Sequence, residues 1–227
     1  AAPFAFPAGD PRRRATEQNP FLATANTARR ILVQSRFTAG EVERWLGVDA
    51  ARIVVTPLAV DGVFSPGAPD GLPPELRGKK YVLHVGAHDE RKNTATLIEA
   101  FARAVPDGDV LLAFTRKPAS LPRGGIVVDA RDDAALVALY RGAALVAVPS
   151  TYEGFGFPLL EAMACGAATL AARAGSLPEV GGDAAAWVDD AHDPSAWART
   201  LRALLDDDGV RAELAARGPA RASAFSW

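Results

Sequence analysis

The sequence predicts an α/β protein in which helices cover both faces of a parallel sheet. Three observations lead there. The apolar segments that read as strands are short continuous runs, such as Ala144-Leu145-Val146-Ala147-Val148, with no alternation of apolar and polar residues; strands buried on both faces look like this. From residue 81 onward these runs alternate with stretches of helical period, the order that builds a parallel sheet. Hydrophobic residues make up 49% and charged residues 23%, an ordinary globular balance that excludes disorder over most of the length.

The elements follow in order. Residues 1–30 contain Pro3, Pro7, Gly9, Pro11 and the basic run Arg12-Arg13-Arg14 without a clean apolar period, so a loop or solvated arm is expected. Ile31-Leu32-Val33-Gln34-Ser35 reads as a short buried strand. Thr38 and Glu41 have the spacing of a capping box, which predicts a helix with Thr38 as N-cap, running to about Gly47. Residues 52–56 make a second strand. The segment 57–74, rich in Pro and Gly, is linker or loop. Strands are then expected over 81–85, 110–114, 126–128, 144–148, 168–171 and 185–188. Helices are expected over 94–105, 132–141, 158–165, 194–205 and 210–217, with a short helical turn at 177–180.

Composition narrows the function. A length of 227 residues is long for one simple domain and short for two. The single cysteine, Cys165, excludes a disulfide framework or a cysteine-based zinc site; it reads as a small buried residue. A net charge of −2 leaves no electrostatic footprint for nucleic acid. No apolar run approaches the ~20 residues that span a bilayer, and the opening residues lack the basic start of a signal peptide. A cytoplasmic protein is the default expectation. The only methionine is Met163, so the chain reads as a piece of a longer protein. Only four of the 25 basic residues are lysine, which reads as the codon bias of a GC-rich bacterial genome.

In a parallel sheet, ligands bind beyond the carboxyl ends of the strands, so the loops that leave strands are where chemistry is expected. The first is Gly86-Ala87-His88-Asp89-Glu90-Arg91-Lys92-Asn93. Two adjacent cations before a helix N-terminus can hold an anion against its free N–H groups. The structural alternative is a charged turn with Asn93 as N-cap. The second loop is Pro149-Ser150-Thr151-Tyr152-Glu153-Gly154-Phe155-Gly156-Phe157-Pro158-Leu159-Leu160-Glu161. Its glycines leave backbone amides accessible, Pro158 suits a helix start, and Glu153 and Glu161 could face one cavity from two sides. The structural alternative is two acids favouring a helix N-terminus. In Gly175-Ser176-Leu177-Pro178-Glu179-Val180, Ser176 and Glu179 read as a second capping box without chemistry. His84 reads as a core histidine, while His88 stands where a ligand could touch it; neither is expected to bind metal.

These motifs, in this order, resemble the retaining GT-B glycosyltransferases of the group 1 (family 4) type. Glu153-Gly154-Phe155-Gly156-Phe157-Pro158-Leu159-Leu160-Glu161 matches their pair of glutamates eight apart, and residues 85–93 resemble their phosphate loop. Residues 97–101, Gly175 to Val180 and the terminal Phe225-Ser226-Trp227 resemble later motifs. The resemblance covers residues 31–227. It implies a Rossmann-like sheet, the C-terminal lobe of a GT-B fold, over residues 57–227, which would bind a nucleotide-sugar donor. Residues 1–56 would be an arm and a remnant of the acceptor lobe.

By the same resemblance, Arg91 and Lys92 would hold the diphosphate, with Gly86 beside it. Glu153 would contact hydroxyls of the transferred sugar and Glu161 the ribose. The amides of Gly154, Phe155, Gly156 and Phe157 would approach the sugar and distal phosphate, and Ala130 and Arg131 would lie near the base. The donor would be GDP- or UDP-linked, with no metal or other cofactor. A glycan or lipid-linked acceptor would be recognised by the missing N-terminal lobe, through which any association with the inner membrane would be made. Two other readings stay open: a nucleotide-sugar epimerase of the same fold, against which the glutamate pair and the Gly-Phe-Gly-Phe segment argue, and a non-catalytic binding module, against which the intact Arg91, Lys92, Glu153 and Glu161 argue.

Overall fold

The residues with no exposed face define the middle of the sheet. β3 (Tyr81–His84), β6 (Leu145–Val148) and β7 (Thr169–Ala172) have every side chain buried. They are flanked by β4 (Leu111–Phe114), β5 (Gly125–Val127) and β8 (Ala186–Val188) in the order β5-β4-β3-β6-β7-β8, with every neighbouring pair parallel. The expected doubly covered parallel sheet is therefore present, Rossmann-like in its connectivity. The computed structural model describes residues 2–226; Trp227, which closes the Phe225-Ser226-Trp227 motif, lies outside the described residues.

The strand order decides where a ligand can enter. From β3 the chain steps outward to β4 and β5, then returns to the other side of β3 and steps outward again through β6, β7 and β8. Right-handed crossovers running in opposite directions place their helices on opposite faces. α4 (Thr94–Ala104) packs with α8 (Pro194–Asp206), and α6 (Phe157–Ala164) packs with α9 (Asp208–Ala222). The reversal leaves a crevice between the carboxyl ends of β3 and β6, the usual ligand position in such sheets. α5 (Asp133–Gly142) starts where expected: Asp132 Oδ1 accepts from the Ala135 N–H at 2.8 Å. α7 (Leu177–Gly181) is a single short turn.

The chain divides into two compact units, Ala1–Leu58 and Ala59–Trp227. In the first, β1 (Ile31–Val33) and β2 (Ile53–Val55) pair in parallel. Ala25, Val33, Val42 and Val48 form its small core. The solvated arm expected over residues 1–30 is helical: α1 covers Ala2–Ala5 and α2 covers Pro11–Thr27. Local chemistry defines α2. The Asp10 carboxylate accepts from the Arg12 N–H, Pro11 takes the first helical position, and Arg13 pairs with Glu17 one turn on. Only Ala25 of α2 is buried, so no apolar stripe announced the helix.

The first capping box is also displaced. α3 (Arg36–Leu46) is capped by Ser35, whose Oγ accepts from the Thr38 N–H at 3.0 Å. Ser35 still has the extended backbone of the preceding strand, so it is the residue at which the helix can begin. Glu41 then lies mid-helix and accepts from the Trp45 indole N–H. Gly47 ends the helix in the left-handed region, as expected. Among the described residues no helix is long and apolar enough to cross a membrane.

The α6–α9 contact supplies a test. A Cβ on Gly218 would meet the Met163 carbonyl oxygen at 2.7 Å. Alanine normally favours a helix over glycine by up to ~1 kcal/mol, but crowding against a fixed backbone typically costs about 1–3 kcal/mol. Gly218→Ala is expected to lower the urea midpoint. A raised midpoint would show that the two helices can part freely.

Candidate functional site

The two loops at the crevice meet through their backbones before their side chains. After β3 the chain turns at Gly86, whose N–H donates to the Thr115 hydroxyl at 3.2 Å. A 3₁₀ turn, Glu90–Lys92, follows; Asp89 Oδ1 accepts from the Lys92 N–H at 3.3 Å. From the loop after β6, the Thr151 N–H donates to the Arg91 carbonyl at 2.8 Å. Asn93 locks the junction. Its Nδ2 donates to the carbonyls of Pro149 at 3.2 Å and Ala191 at 2.7 Å, so it joins the exits of β3 and β6 to the segment before α8. It adopts φ 50° and makes no side-chain cap, which corrects the alternative of Asn93 as an ordinary N-cap. Its Oδ1 instead accepts from the Thr96 hydroxyl.

Each cation of this loop is paired. Lys92 Nζ donates to Glu153 Oε1 at 2.6 Å, with side chains 16% and 12% exposed. Arg91 donates to Asp89 Oδ2 at 2.7 Å. Burial pushes the Asp89 carboxyl up, but the hydrogen bond and charge of Arg91, with the Lys92 N–H, outweigh it and hold the group below the usual carboxylate range. The methylene hydrogens of Gly86 face the end of Lys92: a Cβ there would lie 3.8 Å from Nζ. Gly86, Lys92 and Glu153 therefore occupy one place, with the Arg91–Asp89 pair on the same turn.

Glu153 is fixed from behind by a segment the sequence reading left without a role. The N–H and hydroxyl of Ser176 both donate to the Glu153 carbonyl, at 3.1 and 2.9 Å. The expected second capping box is absent: Ser176 makes no side-chain cap to α7, because its hydroxyl is turned to Glu153. Gly175 lies directly under the same residue. Its φ is +59°, and a Cβ would stand 2.7 Å from the Glu153 nitrogen and 2.9 Å from its oxygen. Only glycine permits both that conformation and that approach. The glycine in Gly175-Ser176 was the visible signal; Glu153, which lies 23 residues from Ser176, was not visible as its partner.

The remaining expected residues separate. Phe155 is 5% exposed and packs edge-on against Phe157 and Phe225, so its ring is core; Phe157 is 40% exposed. Gly154 is half-buried in the turn between them and Glu153, and Gly156 begins α6. Glu161, on α6, accepts from the Tyr140 hydroxyl at 2.8 Å. Burial raises its carboxyl above the ordinary value, the Tyr140 hydrogen bond pulls the other way, and Asp133 adds to the rise. Tyr140 is fully buried, and its own hydroxyl is pushed well above its usual range by burial and by Glu161. Ala130 and Arg131 follow β5 at the outer edge of the sheet. There the exposed Arg131 pairs with Asp129.

Two histidines and a buried cysteine complete the picture. His84 is core: Nδ1 meets the Ala147 carbonyl at 3.1 Å, and burial pushes the imidazole down to about 4, so it is neutral. His88 has both ring nitrogens engaged within the protein, Nδ1 with the Thr94 hydroxyl at 3.0 Å and Nε2 with the Arg116 carbonyl at 2.6 Å. A ligand could use those nitrogens only by displacing a protein partner. Cys165 is buried, which pushes its thiol up to about 11, away from reactive thiolate.

The chain resembles known proteins over this whole unit. The family model described as glycosyl transferases group 1 matches residues 79–207. The O-antigen chain mannosyltransferase B of Escherichia coli is 33% identical over 226 residues, covering 89% of this chain and 58% of that protein. Sucrose-phosphate synthase from Thermosynechococcus elongatus has the same fold, with a TM-score of 0.79 and 24% identity over 98% of this chain and 60% of that one. Anabaena HepE, solved in complex with UDP-glucose, superposes with a TM-score of 0.76 and 19% identity over 92% of this chain and 64% of that one. The chain thus spans little more than half the length of its Escherichia coli relative. It belongs to the group 1 glycosyl transferases.

Proposed function

We propose that the unit from residue 59 binds a nucleotide-sugar donor in the crevice between β3 and β6, and that the protein transfers the sugar to an acceptor with retention of configuration. The observation that carries this reading is the Lys92–Glu153 contact. It joins a residue suited to phosphate with a residue suited to sugar hydroxyls, 61 positions apart in sequence, at the point where strand order reverses. Ligand sites in such sheets lie at that point. The names of the Escherichia coli and Anabaena relatives, a mannosyltransferase and a UDP-glucose complex, support a hexosyl donor, GDP- or UDP-linked.

The proposed roles follow from donor and acceptor chemistry. A departing nucleoside diphosphate gains negative charge. Arg91 and Lys92 answer that charge from fixed positions, as do the first N–H groups of α6 after Gly156. Arg91 offers a forked donor set matched to phosphate. Glu153, an acceptor of hydrogen bonds, orients hydroxyls of the sugar. Glu161 accepts from the ribose diol. These roles require neither metal nor further cofactor. A glycan or lipid-linked acceptor is assigned to sequence outside this unit.

Calorimetric titration with GDP and UDP tests the cations. Lys92→Met and Arg91→Ala are each expected to weaken binding about ten- to a hundredfold, the value of one charge-assisted hydrogen bond, while leaving guanosine or uridine binding unchanged. Equal loss for nucleoside and diphosphate would point to a damaged fold and sink the assignment.

Glu153 is expected to behave in the opposite sense. In the structure it competes for Lys92, so Glu153→Gln should leave diphosphate affinity unchanged or raise it. The same variant should remove the extra affinity contributed by the sugar of a nucleotide-sugar, and in the full-length enzyme it should lower kcat more than diphosphate affinity. A Glu153→Gln protein that loses GDP and UDP together would refute the division of roles.

The pH dependence tests Glu161. Its carboxyl titrates above the ordinary 4.5, and only the carboxylate can accept both ribose hydroxyls. Affinity should therefore fall as pH drops through a window above that value. Tyr140→Phe removes the hydrogen bond that favours the carboxylate, so the window should move to higher pH. Glu161→Gln should abolish it. Identical pH profiles for the parent and Glu161→Gln would remove Glu161 from the site.

A further inference from the structure

Helix α7 is too short to hold itself. It has five residues, Leu177–Gly181, and a helix of that length satisfies few of its own polar groups. Side-chain caps ordinarily supply the missing partners. The start of α7 has none, because Ser176 turns its hydroxyl to the Glu153 carbonyl. Leu177 and Val180 are buried and press the helix onto the unit, but apolar contact is non-directional and leaves the polar ends unfixed. The far end is met from α9. Arg221 Nε donates to the Val180 carbonyl at 2.9 Å, and Arg221 Nη2 donates to the Glu179 carbonyl. A cation also suits the negative end of a helix.

We propose that Arg221 is a positioning residue for Glu153 and acts on it through the backbone of α7. The path is a series of hydrogen bonds whose directions are fixed, since each acceptor is a carbonyl. Arg221 donates to the carbonyls of Glu179 and Val180. The N–H groups of those same two residues donate to the Ser176 carbonyl, at 3.0 and 3.2 Å. The N–H and hydroxyl of Ser176 donate in turn to the Glu153 carbonyl, at 3.1 and 2.9 Å. One helical turn therefore separates the guanidinium from the residue that carries the proposed sugar contact.

A second line of contacts runs to the same place. The Arg221 guanidinium carbon lies 5.1 Å from the centroid of the Phe225 ring, within reach of a cation–π interaction. Phe225 packs edge-on against Phe155 with centroids 5.7 Å apart, and Phe155 stands two residues beyond Glu153. Arg221 thus bears on Glu153 from the α7 side and, through two rings, from the Gly-Phe-Gly side. The space it occupies is kept by Gly182, where the chain leaves α7 at φ +55° and a Cβ would stand 3.2 Å from Arg221 Nε.

The consequence gives the C-terminal segment a part in the site. Arg221 and Phe225 lie more than 60 residues beyond Glu153 in sequence, and both bear on its backbone. Loss of the guanidinium would leave α7 without a side-chain cap at its start or an arginine at its end, and Ser176 would hold Glu153 from a loosened turn. This inference rests on the donor-site reading for the role of Glu153 but not for the support of its backbone.

Amide hydrogen exchange and nucleotide titration of the 227-residue chain test it together. Arg221→Met keeps an apolar stem and removes the donors. The Ser176 N–H is expected to exchange about tenfold faster, the value of one charge-assisted hydrogen bond. The Val146 N–H, bonded to the Ala168 carbonyl within the sheet, should keep its rate. Arg221→Lys, which retains a cationic donor, should restore part of the protection. In Arg221→Met the preference for UDP-glucose over UDP, and for GDP-mannose over GDP, should fall toward that of Glu153→Gln, with diphosphate affinity unchanged or raised. Faster exchange at Val180 with Ser176 unchanged would confine Arg221 to α7 and overturn the proposal. Equal acceleration at Ser176 and Val146 in both variants would overturn it as well, and so would an unaltered nucleotide-sugar preference beside a fast Ser176 N–H. A parent chain that shows no such preference, with Ser176 still released by Arg221→Met, upholds the support of Glu153 and tells against the donor site alone.

Discussion

The contact between Lys92 and Glu153 exists because β3 and β6 are neighbours although α4, β4, β5 and α5 lie between them in sequence. Adjacent parallel strands lie about 4.8 Å apart, so loops leaving their ends must share space. With only 16% and 12% of the two side chains exposed, neither charge has full access to water. A half-buried charge deprived of its partner is costly, typically several kcal/mol for a buried pair. The ion pair therefore constrains both loops at once: the turn that presents Lys92 and the segment that presents Glu153 must close on each other.

Backbone groups meet that requirement. Thr151 donates to the Arg91 carbonyl, Ser176 donates twice to the Glu153 carbonyl, and the Asn93 amide spans Pro149 and Ala191. Loops at the surface ordinarily leave such groups to water. Here backbone and side-chain groups of four segments satisfy one another, and the ends of Arg91, Lys92 and Glu153 are carried on a frame that does not depend on any ligand. Fixed donors and acceptors cost little reorganisation when charge develops. Gly175 completes the frame, since any side chain there would push Glu153 off its carbonyl contacts.

The sheet was legible in the sequence because burial on both faces leaves a local mark. Runs such as Leu145-Val146-Ala147-Val148 carry no polar residue, and each helix between them repeats with its own period. The site's two loops were legible for the same reason, as the polar stretches that leave such runs. What escaped reading was everything decided by partners distant in sequence. Ser176 has the right spacing for a cap but is claimed by Glu153. Tyr140 carries no local mark of a role within α5, yet its hydroxyl donates to Glu161. Phe155 was read for its backbone amide alone, yet its ring is packed against Phe225, 70 residues further on. Helix α2 escaped for a different reason. A helix with a single buried side chain has no stripe to reveal it, and its Asp10 cap stands among prolines that suggested a loop.

Paired cations change what recognition by this site means. Arg91 is matched by Asp89 and Lys92 by Glu153, so the four groups sum to no net charge. An anion entering the crevice does not meet bare cations; it exchanges with carboxylates already in contact. The gain is then the difference between two sets of charge-assisted bonds, smaller than either set alone. On the proposed reading, a diphosphate that draws Lys92 away strands Glu153, and a sugar whose hydroxyls donate to Glu153 removes that penalty. Phosphate and sugar recognition become coupled through one ion pair, so the intact donor is favoured over either of its halves. Once the sugar has moved to the acceptor, Glu153 is again without donors and Lys92 is again its nearest partner. The same contact that orders the loops then opposes retention of the spent diphosphate, a direction of coupling that a crevice of unpaired cations would lack.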